Sequence, residues 1–154
     1  ALSPFNAFQL IQGIETLPLR IARHSETAQK VVDYLAGRAD VTRVIHPSQQ
    51  SGGPKARADR YLKGGLGGLV GFELAGGIEA GKRFIDSLQL LYHVANIGDA
   101  RSLAIHPAST THSQLSTEDQ LATGVSPGYV RLSIGTEHID DILADLEQAV
   151  AAAG

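Results

Sequence analysis

The 154-residue chain contains no cysteine, no methionine and no tryptophan. Without cysteine it has no disulfide bond, no thiolate nucleophile and no zinc–thiolate centre. No apolar run approaches the ~20 residues of a membrane-spanning helix. A balance of 13 basic against 16 acidic residues is not basic enough to indicate nucleic-acid binding. The chemistry open to this chain is therefore that of oxygen and nitrogen side chains.

The composition that remains is typical of a folded domain. Hydrophobic residues make up 43% of the chain and charged residues 19%. Residues 1–5 show no charged region followed by an apolar stretch, so they predict no signal peptide. Because the chain starts abruptly at Ala1, we expect it to be part of a longer protein.

Hydrophobic spacing predicts an alternation of helices and short strands. The predicted helices span residues 4–36 (broken at Pro18), 56–62, 79–91 and 139–150 (with Thr136 as N-cap). The predicted strands span residues 41–46, 69–74, 92–97 and 129–134. This order predicts an α/β fold, a two-layer sandwich with helices on one face of a mainly antiparallel sheet of about four strands. Residues 98–125 form a polar stretch longer than the ~12–15 residues of an ordinary connection, and we expect a functional loop there.

A glycine-rich segment at residues 76–83 follows a predicted strand and opens a predicted helix. It matches a phosphate-binding loop up to its last position. There Arg83 replaces the Ser or Thr whose hydroxyl would hold magnesium, and Glu79 would place a carboxylate near the phosphates. The favoured interpretation is therefore a turn built on glycines.

Residues 124–128 have the letters of a hydrolase nucleophile elbow. The residue after the serine must donate its backbone N–H to the oxyanion, and Pro127 has no N–H. The fold also requires an acid and then a histidine later in the chain. The only later histidine is His138, and the only acid between Ser126 and it is the adjacent Glu137. Both requirements fail, so the segment predicts no esterase chemistry.

Histidines near the middle of the chain suggest a metal centre. His106 and His112 are six positions apart, with His93 upstream. This spacing matches neither a helical i,i+4 pair nor a zinc finger, and no carboxylate lies between them. Histidines serve more often as hydrogen-bonded structural groups, so the sequence predicts no metal-ligand set.

Arg131 is the one charged residue of the strand predicted over residues 129–134. Its guanidinium must face either solvent or a buried partner. A planar fork of five donors is well suited to hold a carboxylate through two parallel hydrogen bonds. A surface position or a structural ion pair explains the residue equally well, so spacing alone leaves both interpretations open.

Four segments form an ordered pattern over nearly the whole chain. They are residues 13–20 (GIETLPLR), 96–112 (containing NIGDA and LAIHPASTTH), 130–137 (VRLSIGTE) and 141–149 (DILADLEQA). The set resembles the C-terminal domain of the pyridoxal-phosphate (PLP) enzymes of cysteine and methionine metabolism, the cystathionine gamma-synthase-like family. Because the segments occur in family order, the set is more specific than any single motif.

This resemblance implies the small C-terminal domain of the aspartate-aminotransferase-like PLP fold. Residues 37–154 would form that α/β domain, and residues 1–36 the long helical segment that leads into it. The N-terminal PLP-binding domain would lie outside this chain. None of the four lysines stands in a setting that matches the family's cofactor lysine. We therefore expect this chain alone to bind no PLP and to be inactive.

Within the family, residues 96–100 and 106–113 are similar to the O-acetylhomoserine sulfhydrylases, since many relatives have Ser-Leu-Gly in the first of these segments. The resemblance implies a cytoplasmic transferase of methionine biosynthesis that converts O-acetylhomoserine and sulfide to homocysteine and acetate. It also implies a homo-oligomer, commonly a tetramer. The alternatives are a sister activity (O-succinylhomoserine sulfhydrylase, cystathionine gamma-synthase or a gamma-lyase) and a non-catalytic binding or assembly module, which the missing lysine favours.

The same resemblance implies roles for three residues. Arg131 matches the family arginine that binds the substrate α-carboxylate. Asn96 occupies the position where relatives contribute a serine near that carboxylate, and the change leaves a backbone N–H contact as the expected interaction. Thr111 is a supporting candidate in the long loop that would approach the site. No residue of this chain is predicted to be catalytic.

Overall fold

Six helices and five strands build this protein in the computed structural model, which describes residues 1–154. The helices are α1 (Pro4–Glu15), α2 (Leu17–Ala36), α3 (Gly52–Tyr61), α4 (Gly77–Ser87), α5 (Thr117–Ala122) and α6 (Ile139–Ala153). The strands are β1 (Val41–Ile45), β2 (Leu69–Leu74), β3 (Tyr92–His93), β4 (Leu103–Ile105) and β5 (Tyr129–Ser133). Short 3₁₀ turns lie at Pro47–Gln49 and Pro107–Ser109. The prediction of an α/β fold is confirmed.

One mixed sheet holds the strands in the order β1-β2-β5-β4-β3. Neighbouring strands are antiparallel except β3 and β4, which run parallel. The sheet has five strands instead of about four, because β4 lies inside the stretch 98–125 that was expected to be a loop. All three residues of β4 are buried, so they show none of the polar alternation that indicates a strand.

The hydrophobic core lies on one face of this sheet, under α2, α4 and α6. Its members include Val70, Phe72, Leu74, Val130 and Leu132 from the strands and Val32, Leu35, Phe84, Ile142 and Leu146 from the helices. The Phe72 and Phe84 rings meet edge to face with their centroids 5.4 Å apart. Since side chains alternate along a strand, the remaining residues of β2 and β5 occupy the opposite face. We call this the far face, and it carries Gly71, Glu73, Tyr129, Arg131 and Ser133.

Helix α1 contributes nothing to the core. None of its residues is buried, and its large apolar side chains are more than half exposed: Phe5, Phe8, Leu10, Ile11 and Ile14. α1 therefore presents apolar surface that no part of this chain covers. No helix of the protein combines the length and the apolar character required to cross a bilayer.

The break in the first helical segment is confirmed, because α1 ends at Glu15 and α2 begins at Leu17, next to Pro18. Several element ends differ from prediction by two or more residues, since α4 begins at Gly77 and α6 ends at Ala153. α3 begins at Gly52, α4 ends at Ser87, β3 covers only Tyr92–His93, and the N-cap of α6 is His138. His138 Nδ1 accepts the Asp140 N–H at 3.3 Å, whereas Thr136 Oγ1 donates to the carbonyl of Ala100 at 3.0 Å.

Asp145 of α6 explains the early end of α4. Its buried carboxylate accepts the N–H groups of Gln89, Leu90 and Leu91 at 2.8–2.9 Å. Gln148 Nε2 donates a fourth bond at 2.9 Å. These bonds hold the chain after α4 away from helical geometry. Apolar spacing does not reveal a partner more than 50 positions away, so the predicted helix extends too far.

We expect Asp145→Ala to lower the free energy of unfolding by about 2–3 kcal/mol, because three backbone donors, that of Leu91 buried, lose a charged acceptor. Asp86→Ala is the matched control, since that carboxylate is exposed on α4 and makes no hydrogen bond to the chain. The control should change stability by no more than about 0.5 kcal/mol. Urea unfolding of both variants measures the difference, and equal losses would show that Asp145 is not the anchor described.

Candidate functional site

Arg131 lies in the middle of the far face. It pairs in register with Gly71 of β2 on one side and Ile105 of β4 on the other. Its neighbours along β5, Val130 and Leu132, point into the core and are fully buried. The alternation of β5 thus directs the guanidinium away from the core.

A pocket of about 490 Å³ opens on the far face around Arg131. Its walls include Arg43, Ile105, Thr111, His112 and Tyr129. The loop after β4 supplies Thr111 and His112, so part of the long stretch 98–125 does form a wall of the pocket. We call this cavity the far-face pocket.

Gly71 makes room for one of these walls. A Cβ atom at position 71 would lie 2.7 Å from Cε2 of Tyr129 and 2.9 Å from its hydroxyl oxygen. The Tyr129 ring therefore lies directly over the Gly71 backbone, beside Arg131. Burial raises the pKa of the Tyr129 hydroxyl, and the nearby Arg131 charge opposes that shift in part. The phenol is thus neutral near pH 7 and lines the pocket as a hydrogen-bonding group.

Most donors of the Arg131 guanidinium have no partner in the chain. Nη2 donates to the carbonyl oxygen of Asn96 at 3.2 Å. Nε is buried without a hydrogen-bond acceptor, and no carboxylate of the chain forms an ion pair with the residue. Within this chain the guanidinium thus has no ion-pair partner. The arrangement suits an anionic ligand with two oxygens, which would use donors that are otherwise left idle.

The structure brings Asn96 to Arg131 through its backbone. The Asn96 side-chain oxygen accepts the N–H of the next residue, Ile97, at 2.9 Å, so the amide folds back on its own main chain. Thr111 lies on the pocket wall, where its hydroxyl is 2.9 Å from Nδ1 of His112. Arg131, Asn96 and Thr111 thus belong to one region of the far face.

The Arg43 guanidinium is the second cation of the pocket. It lies on β1, and its Nη1 is 3.6 Å from Oε1 of Glu73 on the neighbouring strand. The Arg43 side chain is 64% exposed, so this ion pair is weak. Arg131 differs from Arg43 in being half-buried, with its Nε enclosed and without a hydrogen-bond acceptor.

The histidines considered for a metal centre are not gathered. His106 is fully buried, with Nδ1 2.8 Å from the Ser109 hydroxyl and Nε2 2.7 Å from the carbonyl of Pro127. Burial lowers its pKa, so the ring is neutral near pH 7. No group of three His, Asp or Glu side chains in the protein is arranged to hold a metal ion.

The structure explains one glycine of the phosphate-loop-like segment and places the serine of the elbow-like segment in the interior. A Cβ at Gly81 would lie 2.4 Å from the His106 ring, so this glycine of the segment 76–83 allows α4 to pack on the buried histidine. Lys82 in the same segment pairs with Glu79 at 2.8 Å. At the former elbow, the Ser126 hydroxyl is buried and has no hydrogen-bond partner.

All four lysines are bonded outside the far-face pocket. Lys30 binds Glu26 at 2.7 Å, Lys55 binds Asp59 at 2.5 Å, Lys63 binds the carbonyl of Asp59, and Lys82 binds Glu79. None of them lines the pocket. The pocket as this chain builds it therefore contains no lysine that would carry a Schiff base.

Tyr129 and Ser133 belong to this region although neither was predicted as a site residue. Both share the far face with Arg131 because residues two apart on a strand point to the same side. The alternation of β5 is therefore the sequence signal that indicates them. No sequence pattern indicates the hydrogen bond from Arg131 to the Asn96 carbonyl, because the acceptor is a backbone atom 35 positions away.

Comparison with known proteins gives a consistent result. The model of the family described as Cys/Met metabolism PLP-dependent enzyme matches residues 1–151. The O-acetyl-L-homoserine sulfhydrylase of Leptospira meyeri is 54% identical over 151 residues, which are 97% of this chain and 34% of that protein. O-acetyl-L-homoserine sulfhydrylase 1 of Thermus thermophilus is 49% identical over 151 residues, 98% of this chain and 36% of that protein.

A solved structure is similar as well. It is described as an O-acetylhomoserine (thiol)-lyase from Campylobacter jejuni and carries N'-pyridoxyl-lysine-5'-monophosphate. Its TM-score is 0.89 at 43% identity, over 98% of this chain and 36% of that one. The chain thus spans about a third of the length of the curated relatives it matches.

Proposed function

Since this chain belongs to the Cys/Met metabolism PLP-dependent enzyme family, we propose that it is the C-terminal part of an O-acetylhomoserine sulfhydrylase. The full-length enzyme replaces the acetate of O-acetylhomoserine with sulfide and releases homocysteine. Two of its most similar relatives are sulfhydrylases of this kind, and they support the choice of substrate.

The part of this chain in the reaction is to hold the substrate by its α-carboxylate. Arg131 carries this proposal, because it presents unused donors in a pocket and has no carboxylate partner of its own. A carboxylate held by two parallel charge-assisted hydrogen bonds is fixed in orientation as well as in position. Asn96 orients the guanidinium through its carbonyl, and Thr111 contributes a hydroxyl to the same wall.

The family depends on PLP, which supplies an electron sink for amino-acid chemistry when it is bound. The residues of this chain do not fit the task of holding it, because each lysine is bonded to a residue three or four positions away in the sequence and none lines the far-face pocket. We place the cofactor lysine in an N-terminal domain and expect this chain alone to be inactive.

We further propose that the whole enzyme has an N-terminal domain beside the C-terminal domain formed by this chain. Residues 1–36 lead from the N-terminal domain into the C-terminal domain of residues 37–154. The exposed apolar side chains of α1 support a contact between this helix and another domain or subunit, because apolar patches of this extent mark interaction sites. We further propose a homo-oligomer in the cytoplasm, as the family resemblance implies.

The far-face pocket favours the acetyl over the succinyl ester. An O-succinyl group carries a second carboxylate, which calls for a second free cation. Arg43 is the other arginine of the pocket, and the Glu73 carboxylate 3.6 Å from its Nη1 would repel a second carboxylate of the substrate. The neutral acetyl group needs no such partner.

Steady-state assays of the full-length enzyme test this choice. With sulfide as the second substrate, we expect kcat/KM for O-acetylhomoserine to exceed that for O-succinylhomoserine by about tenfold or more, the equivalent of one unmet charge contact. Methionine without sulfide is the third arm and reports gamma-lyase activity. A preference for the succinyl ester, or faster cleavage of methionine, would assign the protein to a sister activity instead.

A further inference from the structure

The segment of residues 96–102 belongs to the connection between β3 and β4 and lies on the far face beside Arg131. Ser133 lies two positions after Arg131 on β5, so both side chains reach this face. The Gly98 N–H donates to the Ser133 hydroxyl oxygen at 3.1 Å, and Arg131 Nη2 donates to the Asn96 carbonyl at 3.2 Å. Arg131 and Ser133 of β5 thus form hydrogen bonds to the backbone of this segment at Asn96 and Gly98, two residues apart.

The far end of the segment is anchored independently. The Glu137 carboxylate accepts the Ser102 N–H at 2.6 Å and the Ser102 hydroxyl at 2.9 Å. The Thr136 N–H donates to the Ala100 carbonyl at 2.8 Å. Residues 100–102 are therefore fixed without Ser133, whereas residues 96–98 are bonded to the sheet through Arg131 and Ser133.

Gly98 is a point where the backbone is free to turn. Its φ of 77° lies in the left-handed region, which glycine adopts without strain and leaves as easily. The hydroxyl that holds its N–H belongs to a residue that is 3% exposed. The buried Ser133 hydroxyl thus holds the N–H of a residue whose backbone has several conformations open to it, and the bond favours one of them.

We propose that Ser133 is a positioning residue for Arg131. Its hydroxyl holds the Gly98 amide, which keeps the Asn96 carbonyl where it orients the guanidinium toward the substrate carboxylate. Ser133 acts through Arg131 and not on the substrate itself. This inference rests on the proposed carboxylate-binding function of Arg131.

If Ser133 positions Arg131, removal of the Ser133 hydroxyl weakens substrate binding. Without the acceptor, the Asn96–Gly98 backbone samples other conformations, and the substrate must order it on binding. We expect KM for O-acetylhomoserine to rise about three- to tenfold, the range of one lost hydrogen bond. kcat should change less than about twofold, because the contact serves ground state and transition state alike.

The test compares Ser133→Thr with Ser133→Val in the full-length enzyme. Threonine and valine have nearly the same shape in a strand, so the pair differs mainly in the hydroxyl. The Thr variant should keep the KM of the parent, and the Val variant should show the rise. Ser87→Ala, where the hydroxyl makes no hydrogen bond to the chain, is the control for loss of a serine outside this region. Equal KM values for the Thr and Val variants would overturn the proposal.

Two further readouts separate positioning from general damage. In an Arg131→Ala background, Ser133→Val should raise KM no further, because the contact acts through the guanidinium. Amide exchange in the peptide of residues 96–98 should accelerate in the Val variant while β2 keeps its protection. An additive rise in KM or unchanged exchange would contradict the proposal. The exchange readout also stands if the parent does not use O-acetylhomoserine, an outcome that would count against the proposed function alone.

Discussion

Replacing Arg131 by alanine in the full-length enzyme is expected to lower kcat/KM for O-acetylhomoserine by about 30- to 1,000-fold. This range corresponds to about 2–4 kcal/mol of transition-state stabilisation, as for the loss of a charge-assisted pair in a partly buried site. KM should rise because the carboxylate loses its binding partner. kcat should fall as well, because a substrate held at one end less firmly reaches the reactive geometry less often.

Two companion variants define the cause. Arg131→Lys keeps the charge but loses the planar fork, so its kcat/KM should lie between those of the parent and the alanine variant. Arg57→Ala removes an exposed arginine of α3 that lies outside the far-face pocket and should leave the kinetics unchanged. Steady-state kinetics at fixed sulfide concentration measure all three. Parental kinetics in Arg131→Ala would refute the assignment of the carboxylate site.

Phe84→Ala is expected to lower the free energy of unfolding of the 154-residue chain by about 3–5 kcal/mol. Phe84 is fully buried between α4 and the sheet, where its ring meets Phe72 edge to face. The truncation removes a large apolar contact and leaves a cavity that the surrounding helices and strands only partly fill. Urea unfolding measures the loss as a lower midpoint at an unchanged slope.

Phe8→Ala is the matched control for this substitution. Phe8 has the same chemistry but lies on α1, with 58% of its surface exposed and no buried neighbour on its helix. Its removal should change the stability of the chain by no more than about 0.5 kcal/mol. A loss at Phe8 equal to that at Phe84 would contradict the location of the core.

The parts of the fold that follow from the sequence are those in which local pattern and tertiary burial agree. Helix α6 shows a clear apolar stripe and packs Ile142 and Leu146 into the core. Strand β4 fails this condition, because three consecutive buried residues carry no period. The end of α4 fails it as well, since the carboxylate of Asp145 stops the helix from a distance.

The candidate site divides in the same way. Arg131 is predictable because a single charge in an apolar strand needs an explanation. The family resemblance names its role, and the structure supplies the pocket and the absence of an ion-pair partner. The hydrogen bond from the Gly98 N–H to the Ser133 hydroxyl is not predictable from spacing, because it joins a side chain to a backbone amide 35 positions away.

The most direct test of the central claim, that Arg131 recognises the substrate α-carboxylate, compares O-acetylhomoserine with its α-carboxamide in the parent and in Arg131→Ala. The full-length parent should prefer the carboxylate in kcat/KM by about 30-fold or more, the equivalent of about 2 kcal/mol. In Arg131→Ala the preference should fall to within a few-fold, since the two substrates then meet the same uncharged pocket wall. A preference of equal size in both proteins would show that the carboxylate is bound elsewhere.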